Sequence, residues 1–317
     1  MSSFKYAAAL AGVTMLAGSL CAVPAGATTA GTDSTTVRAV VSTAGSGCGM
    51  SIGSVTAAGD LGGAGVQATK PPTRTAEPLV GRLATPPHLF PAGSAKLSTT
   101  WEHSFGIGSD FREYGNVVLG STLYNATFEF DGIDGRSSTA IVGGGWGNYK
   151  AIASPNYDNL HSVRRNYLYG LRNDGVLFRW APQAGSYQRA GSYSGFSSVK
   201  AMTLISQTAT YDTFLANLRG GSLYTIRIPV TSPMTAVVKK VRSTTWQGFE
   251  FLVAERCGSQ SILLTGIDKD TGSAYLYAVG HATGTTTAIQ FRGKIPGTFS
   301  DPVYYLRHPE LNNLNGE

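Results

Sequence analysis

The 317-residue chain is predicted to be an all-β repeat protein, and three observations support this. An aromatic residue stands three positions before the start of a short alternating strand at Phe111–Tyr114, Trp146–Tyr149, Phe196–Val199, Trp246–Phe249 and, in a degenerate copy, Phe299–Pro302. Only 14% of residues are charged and 40 are glycine, which suits short strands and tight turns. After about position 80, no apolar pattern with helical spacing persists over about ten residues.

The spacing of the repeat indicates how the strands are organised. The last four copies lie 50, 50 and 53 residues apart, and the first interval is 35. A period near 50 with several short strands in each unit is typical of a β-propeller, in which small sheets repeat around an axis. We therefore predict a five-bladed β-propeller of four-stranded antiparallel blades. A β-sandwich has similar local strand and turn signals, and the long period argues against it.

Three consecutive units can be divided into four strands each. The unit opened by Trp146 predicts strands at 149–153, 167–172, 176–180 and 186–190. Its hairpin turn is Asn173-Asp174-Gly175, because these residue types tolerate a positive φ. The next two units predict strands at 199–202, 214–218, 223–226, 236–241, 249–252, 262–265, 275–279 and 287–291. The partial units near both ends suggest that strands from the two termini complete a shared blade.

The ends of the chain differ from the repeat region in composition. Residues 1–27 are predicted to be a secretory signal peptide, with Lys5 before an apolar core and an Ala-x-Ala cleavage site at Ala25–Ala27. A membrane anchor is the alternative, but the apolar run is short and rich in small residues. Residues 28–82 contain few large apolar groups and are predicted to be a low-complexity flexible leader. The propeller domain is then 83–312, followed by a C-terminal tail at 313–317.

These features predict a secreted, extracellular and monomeric protein, and a bacterial source. Signal cleavage leaves Cys48 and Cys257, which could form a disulfide in an oxidising compartment or remain two free thiols. The formal net charge of +6 occurs without a long basic run, so we expect no nucleic-acid partner, and no membrane partner after cleavage. The histidines show no metal-ligand spacing, and we predict no metal and no cofactor.

One unit carries a family resemblance. The segment Gly143–Lys150, followed by Leu168–Leu171 and Gly175–Arg179, resembles the repeat of the tachylectin-type β-propeller lectins. That repeat pairs a Gly-Gly-Trp-x-x-aromatic opening with a Leu-Tyr-apolar strand, a glycine turn and a Leu-Tyr-Arg-like strand. The resemblance is good over 143–180 and only in outline over roughly 110–305. It implies a five-bladed fold that binds N-acetylated amino sugars at sites between blades.

A sugar site needs an exposed aromatic ring to stack on the C–H face, with planar amides or charged groups to bond the hydroxyls. The predicted ligand-binding residues in the clearest unit are Trp146, Asn148, Tyr149 and Arg172. Trp246 and Gln247 form a second candidate pair. The alternative for these aromatics is that they pack between neighbouring blades.

We therefore predict a non-catalytic, carbohydrate-binding propeller that recognises glycans containing amino sugars. A five-bladed propeller glycosidase is one alternative, and it needs two carboxylates about 5–9.5 Å apart. Its candidates are Glu113, Asp212 and Glu250, which do not recur at paired positions. An extracellular protein-binding scaffold is the other alternative.

Overall fold

The structure is a computed structural model that describes residues 47–76, 89–105, 111–131, 135–159, 164–184, 186–309 and 313–317. The predicted signal peptide lies outside the described residues. The described part contains 23 β-strands and one short 3-10 turn, Trp146–Asn148. Within these ranges no helix has the length and apolar character needed to span a membrane.

The strands are numbered in chain order. The first eight are β1 (Gly49–Val55), β2 (Leu61–Gln67), β3 (Thr73–Ala76), β4 (Ala95–Ser98), β5 (Trp101–Phe105), β6 (Phe111–Leu119), β7 (Thr122–Phe130) and β8 (Gly135–Gly143). The next six are β9 (Tyr149–Ala153), β10 (Asn156–Asp158), β11 (Arg164–Asn166), β12 (Leu168–Arg172), β13 (Leu177–Gln183) and β14 (Ser186–Tyr193). The last nine are β15 (Val199–Gln207), β16 (Tyr211–Leu218), β17 (Leu223–Pro229), β18 (Val237–Arg242), β19 (Phe251–Arg256), β20 (Ile262–Asp268), β21 (Ser273–Val279), β22 (Ile289–Ile295) and β23 (Val303–Pro309).

Three sheets contain four antiparallel strands each. Sheet II has the order β9-β12-β13-β14, with the small hairpin β10-β11 inserted after its first strand. Sheet III is β15-β16-β17-β18 and sheet IV is β19-β20-β21-β22. The predicted all-β fold built from four-stranded antiparallel sheets is confirmed, and the hairpin turn at Asn173-Asp174-Gly175 joins β12 to β13, with Gly175 at φ 87°.

The remaining nine strands form one larger sheet that divides at a parallel pairing between β23 and β5. On one side, sheet V has the order β23-β1-β2-β3 and therefore combines strands from both ends of the described chain. On the other side, sheet I has β6, β7 and β8, and its innermost strand is interrupted between β4 and β5. Both parts are otherwise antiparallel, so each is comparable to sheets II, III and IV.

The innermost strands of the five sheets contact one another in a closed order. Strand β4 contacts β9, β9 contacts β15, β15 contacts β19, β19 contacts β23, and β23 contacts β4. Together they line a narrow central cavity of about 80 Å³. This arrangement is consistent with a β-propeller.

One backbone hydrogen bond recurs at each junction between sheets. The N–H of an aromatic residue donates at 2.9 or 3.0 Å to a carbonyl in a hairpin turn of the preceding sheet: Phe90 to Gly59, Trp146 to Ser121, Phe196 to Gly175, Trp246 to Gly221 and Phe299 to Gly272. The first copy of the repeat is therefore Phe90, and its assignment to Phe111 was wrong, since Phe111 lies in the second strand of sheet I. The short first interval in the sequence pattern came from this misassignment.

The predicted flexible leader at 28–82 is also wrong where the structure describes it. Residues 49–76 form three strands of sheet V instead. Their small residues serve close packing: a Cβ added at Gly53 would lie 2.2 Å from the ring of Tyr305, which leaves no space for a larger residue. Alternate apolar residues such as Met50 and Ile52 are buried, as expected for a strand with one face in the core.

The segment 313–317, predicted to be a separate tail, is part of the folded unit. Leu314 is buried in the cluster between sheets II and III. Its carbonyl accepts the N–H of Gln207 at 3.0 Å, and the N–H of Gly316 donates to the carbonyl of Ile205 at 2.8 Å. These bonds continue the pairing of β15, and together with β1, β2 and β3 they show that the folded unit extends beyond 83–312 at both ends.

Cys48 and Cys257, for which sequence left two states open, form a disulfide in the structure, with Cα atoms 5.7 Å apart. Cys48 directly precedes β1, and Cys257 directly follows β19. The bond therefore ties sheet V to sheet IV.

Apolar clusters fill the junctions between neighbouring sheets. Among the described residues, four of these clusters contain nine to fifteen buried members. The cluster between sheets I and II has five: Val118, Leu123, Trp146, Ile152 and Leu168. This junction is the least filled by apolar side chains, and the candidate site lies there.

Candidate functional site

The two indoles predicted to stack on sugars are buried. Trp146 is 7% exposed and Trp246 is 5% exposed. The Trp146 ring lies 4.7 Å from the Tyr149 ring and 4.8 Å from the Trp180 ring, measured between centroids. Trp246 lies 4.9 Å from Tyr277. Because protein covers their faces, neither indole can stack on a ligand, and the packing alternative describes both.

Glycines in the second strand of a sheet make room for these aromatic stacks. A Cβ at Gly170 would lie 2.8 Å from the Tyr149 ring and 3.1 Å from the Trp146 ring. Gly266 holds the same position beneath Phe249, where a Cβ would lie 2.8 Å from the ring. The aromatic repeat in the sequence therefore corresponds to a packing unit that is present in both sheet II and sheet IV.

The other predicted site residues of sheet II are accessible. Asn148 is exposed, and its carbonyl accepts the N–H of Asn173 at 2.8 Å. Tyr149 is half-buried, and burial raises the pKa of its hydroxyl, opposed by the positive charge of Arg172. Arg172 forms an ion pair with Asp174. The structure therefore brings Trp146, Asn148, Tyr149 and Arg172 together at one end of sheet II, but without an exposed indole.

Gln247 lies in the connection that leads into sheet IV, on a different sheet from Arg172. Its side chain is exposed, and its backbone carbonyl accepts a hydrogen bond from the Lys200 ammonium at 2.5 Å. Lys200 also pairs with Glu250. Gln247 therefore stands beside the buried Trp246 without an aromatic surface that a ligand could use.

A polar cavity of about 310 Å³ opens between sheets I and II. Sheet I lines it with polar side chains from three strands: Glu102, Arg112, Tyr114, Asn116, Asn125 and Thr127. The opposite wall comes from sheet II and its inserted hairpin: Ser154, Asn156, Asn166 and Tyr187. This cavity is the candidate functional site.

The alternation of β6 and β7 explains why the cavity is polar. Tyr114 pairs with Thr127 and Asn116 pairs with Asn125, so the four side chains lie on one face of sheet I. Further along the same face, Val118 and Leu123 are buried in the cluster with Trp146. The face thus changes from apolar to polar along its length, and the gap between the sheets opens where it becomes polar.

A carboxylate is held at one side of the cavity. The Oε2 atom of Glu102 accepts hydrogen bonds from the Tyr114 hydroxyl at 3.0 Å and from the Asn156 amide at 2.9 Å. Nε of Arg112 forms an ion pair with Oε1 of Glu129 at 3.3 Å, and the Arg112 guanidinium lies 5.5 Å from the centroid of the Tyr114 ring. Donors from both sheets therefore fix the position of Glu102.

Amides line the remainder of the cavity. The Asn116 amide donates to Oδ1 of Asn125 at 2.6 Å, which orients the Asn125 amide. Burial raises the pKa of Tyr187, and a hydrogen bond with Asn116 opposes this shift. Within the described ranges, the side chains of Thr127 and Asn166 make no hydrogen bond. The cavity thus offers donors and acceptors beside two tyrosine rings.

The carboxylates considered for a glycosidase serve structural ion pairs. Glu113, fully buried, accepts from Arg307 at 2.7 Å. Asp212, also fully buried, accepts from Arg165 at 2.6 Å; burial raises the pKa of Asp212, and Arg165 opposes this. These acids and Glu250 lie on different sheets, and Glu102 is the one carboxylate that lines the cavity in the described chain.

Sequence reasoning missed the cavity residues, although a signal was present. Arg112, Tyr114 and Asn116 alternate in β6 with Glu113, which packs on the other face. A period of two with polar residues at every second position predicts a polar strand face. The partners Asn156, Asn166 and Tyr187 follow after 40 or more residues, and their approach depends on the ring of sheets. Within the described residues, no group of three or more His, Cys, Asp or Glu side chains could hold a metal ion.

Comparisons with known proteins return no matching family model and no matching curated protein. Among solved structures, a mutant of the lectin of Aleuria aurantia in complex with Fucα1-6GlcNAc is similar, with a TM-score of 0.41, 12% identity, and coverage of 78% of this chain and 79% of that one. The same lectin with α-methyl-L-fucoside gives 0.38, 13% identity and 78% of each chain. A fucose-specific lectin from Aleuria aurantia in a mercury-derivative form gives 0.36, 12% and 78% of each chain. At this level of similarity, the ligand of this chain has to be argued from its own residues.

Proposed function

We propose that this chain is a secreted, monomeric, five-bladed β-propeller lectin of the tachylectin type, which binds a glycan containing an amino sugar without turning it over. The bound sugar occupies the polar cavity between sheets I and II. The blade count is supported by the closed order of contacts among five innermost strands and by the aromatic hydrogen bond that recurs at five junctions.

The observation that carries the proposal is the composition of the cavity. Sugars present hydroxyls that both donate and accept, together with apolar C–H faces, and a site for them combines amides or carboxylates with aromatic rings. Here Glu102, Asn125 and Asn166 supply the polar groups, and Tyr114 and Tyr187 supply the rings. Ligand pockets usually measure about 300–1,000 Å³, so a cavity of about 310 Å³ suits one or two sugar residues.

An amino sugar suits the amides in particular. An acetamido group carries one carbonyl acceptor and one N–H donor, and a side-chain amide can complement both. The Asn166 amide can donate to the carbonyl, and the Glu102 carboxylate, which has about four acceptor positions, can accept the N–H. The ring of Tyr187 provides an apolar surface for the methyl group.

Binding without turnover is favoured over hydrolysis because glycosidases use two carboxylates about 5–9.5 Å apart across the scissile bond. One carboxylate lines the cavity in the described chain. The described residues offer no continuous apolar surface for a protein-binding scaffold, because their large exposed apolar side chains lie on three different sheets: Ile141, Val237, Val238 and Phe291.

A glycan array followed by calorimetric titration tests the proposal. We expect amino-sugar glycans to bind, and Asn166→Ala to weaken that binding by about three- to tenfold through loss of a hydrogen-bonding amide. Gln247→Ala is the matched control, since it also removes an exposed amide but lies outside the cavity. The proposal would be contradicted if no amino-sugar glycan on the array bound, or if Gln247→Ala lost binding and Asn166→Ala did not.

A further inference from the structure

Two arginines of sheet II converge on one aromatic ring outside the polar cavity. The guanidinium carbon of Arg172 lies 5.0 Å from the centroid of the Phe178 ring, and that of Arg189 lies 4.8 Å from the same centroid. Arg189 is exposed, and the Arg172 side chain is 40% exposed. The two solvent-accessible guanidinium carbons are therefore within about 10 Å of each other, because each contacts the same ring.

The hydroxyl of Tyr149 belongs to the same cluster. Tyr149 pairs with Arg172 across β9 and β12, and its ring lies 6.3 Å from the Phe178 ring. Burial raises the pKa of Tyr149, while the charges of both Arg172 and Arg189 act to lower it. Both guanidiniums are thus near enough to this side chain to influence it, and the three groups offer hydrogen-bond donors to one region of the surface.

Local contacts orient the two arginines without removing their combined positive charge. Arg172 donates through Nε to Oδ2 of Asp174 at 3.0 Å and through Nη2 at 2.5 Å. Arg189 donates through Nη2 to the Ser192 hydroxyl at 2.7 Å, and within the described residues it has no carboxylate partner. The cluster therefore combines two cations with one anion, and the charge of Arg189 is available to a ligand.

Sheet IV shows that the packing unit does not need these arginines. Gly170 pairs with Phe178 in sheet II, and Gly266 pairs with Tyr275 in sheet IV. Trp180 and Tyr277, each two residues further along the strand, therefore hold equivalent positions. Trp180 pairs with Arg189, whereas Tyr277 pairs with Phe291. By the same register, Asp268 takes the position of Arg172. Of these two similar sheets, only sheet II therefore carries the arginine pair.

We propose that Arg172, Arg189 and the Tyr149 hydroxyl bind an oxyanion, as a carboxylate, phosphate or sulfate group carried by the glycan. This inference rests on the proposed function, because the sugar itself occupies the polar cavity. Tyr187 lines that cavity and is two residues before Arg189 in β14, so the two side chains lie on one face with Cα atoms about 7 Å apart. A substituent on a bound sugar or on its neighbour spans such a distance.

Guanidinium groups suit this role because their planar donors match the oxygens of carboxylate and phosphate. The tyrosine hydroxyl adds a neutral donor to the same anion. An acidic substituent would gain charge-assisted hydrogen bonds that a neutral sugar cannot make. The cluster would then select acidic glycans over neutral glycans of the same sugar.

The experiment compares N-acetylglucosamine 6-phosphate, N-acetylglucosamine and inorganic phosphate by calorimetric titration of the full protein, with chemical shifts of the arginine side chains as a second readout. We expect the sugar phosphate to bind at least about tenfold more tightly than the neutral sugar. Arg189→Gln should abolish this difference and the shifts caused by phosphate. Lys294→Gln is the control, since it removes one exposed cation from the outer strand of sheet IV.

The outcomes separate this inference from the proposed function. Equal affinities for the phosphorylated and neutral sugars would overturn the anion site and leave the lectin proposal standing. Equal effects of Arg189→Gln and Lys294→Gln would also overturn it, because they would indicate general attraction of charge. Phosphate that shifts Arg189 in a protein that binds neither sugar would support the anion site and contradict the lectin proposal.

Discussion

Replacement of Trp146 by alanine tests whether the aromatic repeat serves packing. The indole is 7% exposed and contacts the rings of Tyr149 and Trp180 at 4.7 and 4.8 Å. Truncation of a buried tryptophan typically costs about 3–5 kcal/mol, to which the cavity left behind contributes. We expect the free energy of unfolding to fall by about 4 kcal/mol, a large part of the about 5–15 kcal/mol typical of folded proteins.

Urea denaturation followed by circular dichroism measures this loss, and thermal denaturation should show a midpoint lower by about 10 °C. Asn148→Ala is the control, because it alters an exposed side chain two residues away and should change stability by less than about 0.5 kcal/mol. Glycan affinity, measured where Trp146→Ala is still folded, should remain close to that of the native protein. A destabilisation below about 1 kcal/mol together with lost glycan binding would refute the packing role.

Three further predictions concern stability. Cys257→Ser should lower the free energy of unfolding by about 2–5 kcal/mol, because the disulfide closes a long loop, and thermal denaturation with and without reductant should match this loss; an unchanged midpoint would contradict it. Asp212→Asn should cost about 3–5 kcal/mol in urea denaturation, since it leaves the buried Arg165 without its carboxylate, and a neutral effect would show that the pair is dispensable. Burial raises the pKa of Tyr277 to about 12, so its contribution to stability is complete below about pH 10 and is lost as the pH rises toward 12. The free energy of unfolding should therefore fall less between pH 9 and pH 11 in Tyr277→Phe than in the native protein. An equal fall in both proteins would contradict this assignment.

The strands of the three central sheets could be predicted from sequence because their signals are local. The predicted strand at 149–153 coincides with β9, and the turn before β13 follows from Asn173, Asp174 and Gly175. Hydrophobic alternation and turn residues act within a few positions, so they survive in a single sequence. The aromatic repeat was also visible, although its first copy was assigned to Phe111 in place of Phe90.

Sheet V was harder to delimit from sequence because the composition of its first strands is not typical of β-strands. Residues 49–67 contain many small residues, which usually indicate a chain that cannot form a core. Gly53 is required by the nearby ring of Tyr305, and this aromatic lies about 250 residues away in sequence. Only the pairing of β1 with β23 makes that requirement visible.

The candidate site could be predicted in kind but not in place. An aromatic and amide combination was expected, and the cavity contains Tyr114, Tyr187 and Asn166. The indoles of the repeat were more conspicuous in the sequence, but their burial removes them from contact with a ligand. Exposure depends on how neighbouring sheets fill a junction, and this information is absent from any single strand.

Hydrogen exchange with and without a bound amino-sugar glycan tests the location of the site most directly. We expect slower exchange in the segments 111–127 and 164–189, which contribute to the two walls of the cavity. Slower exchange confined to residues 245–251, around Trp246 and Gln247, or no change in any segment at saturating glycan, would contradict it.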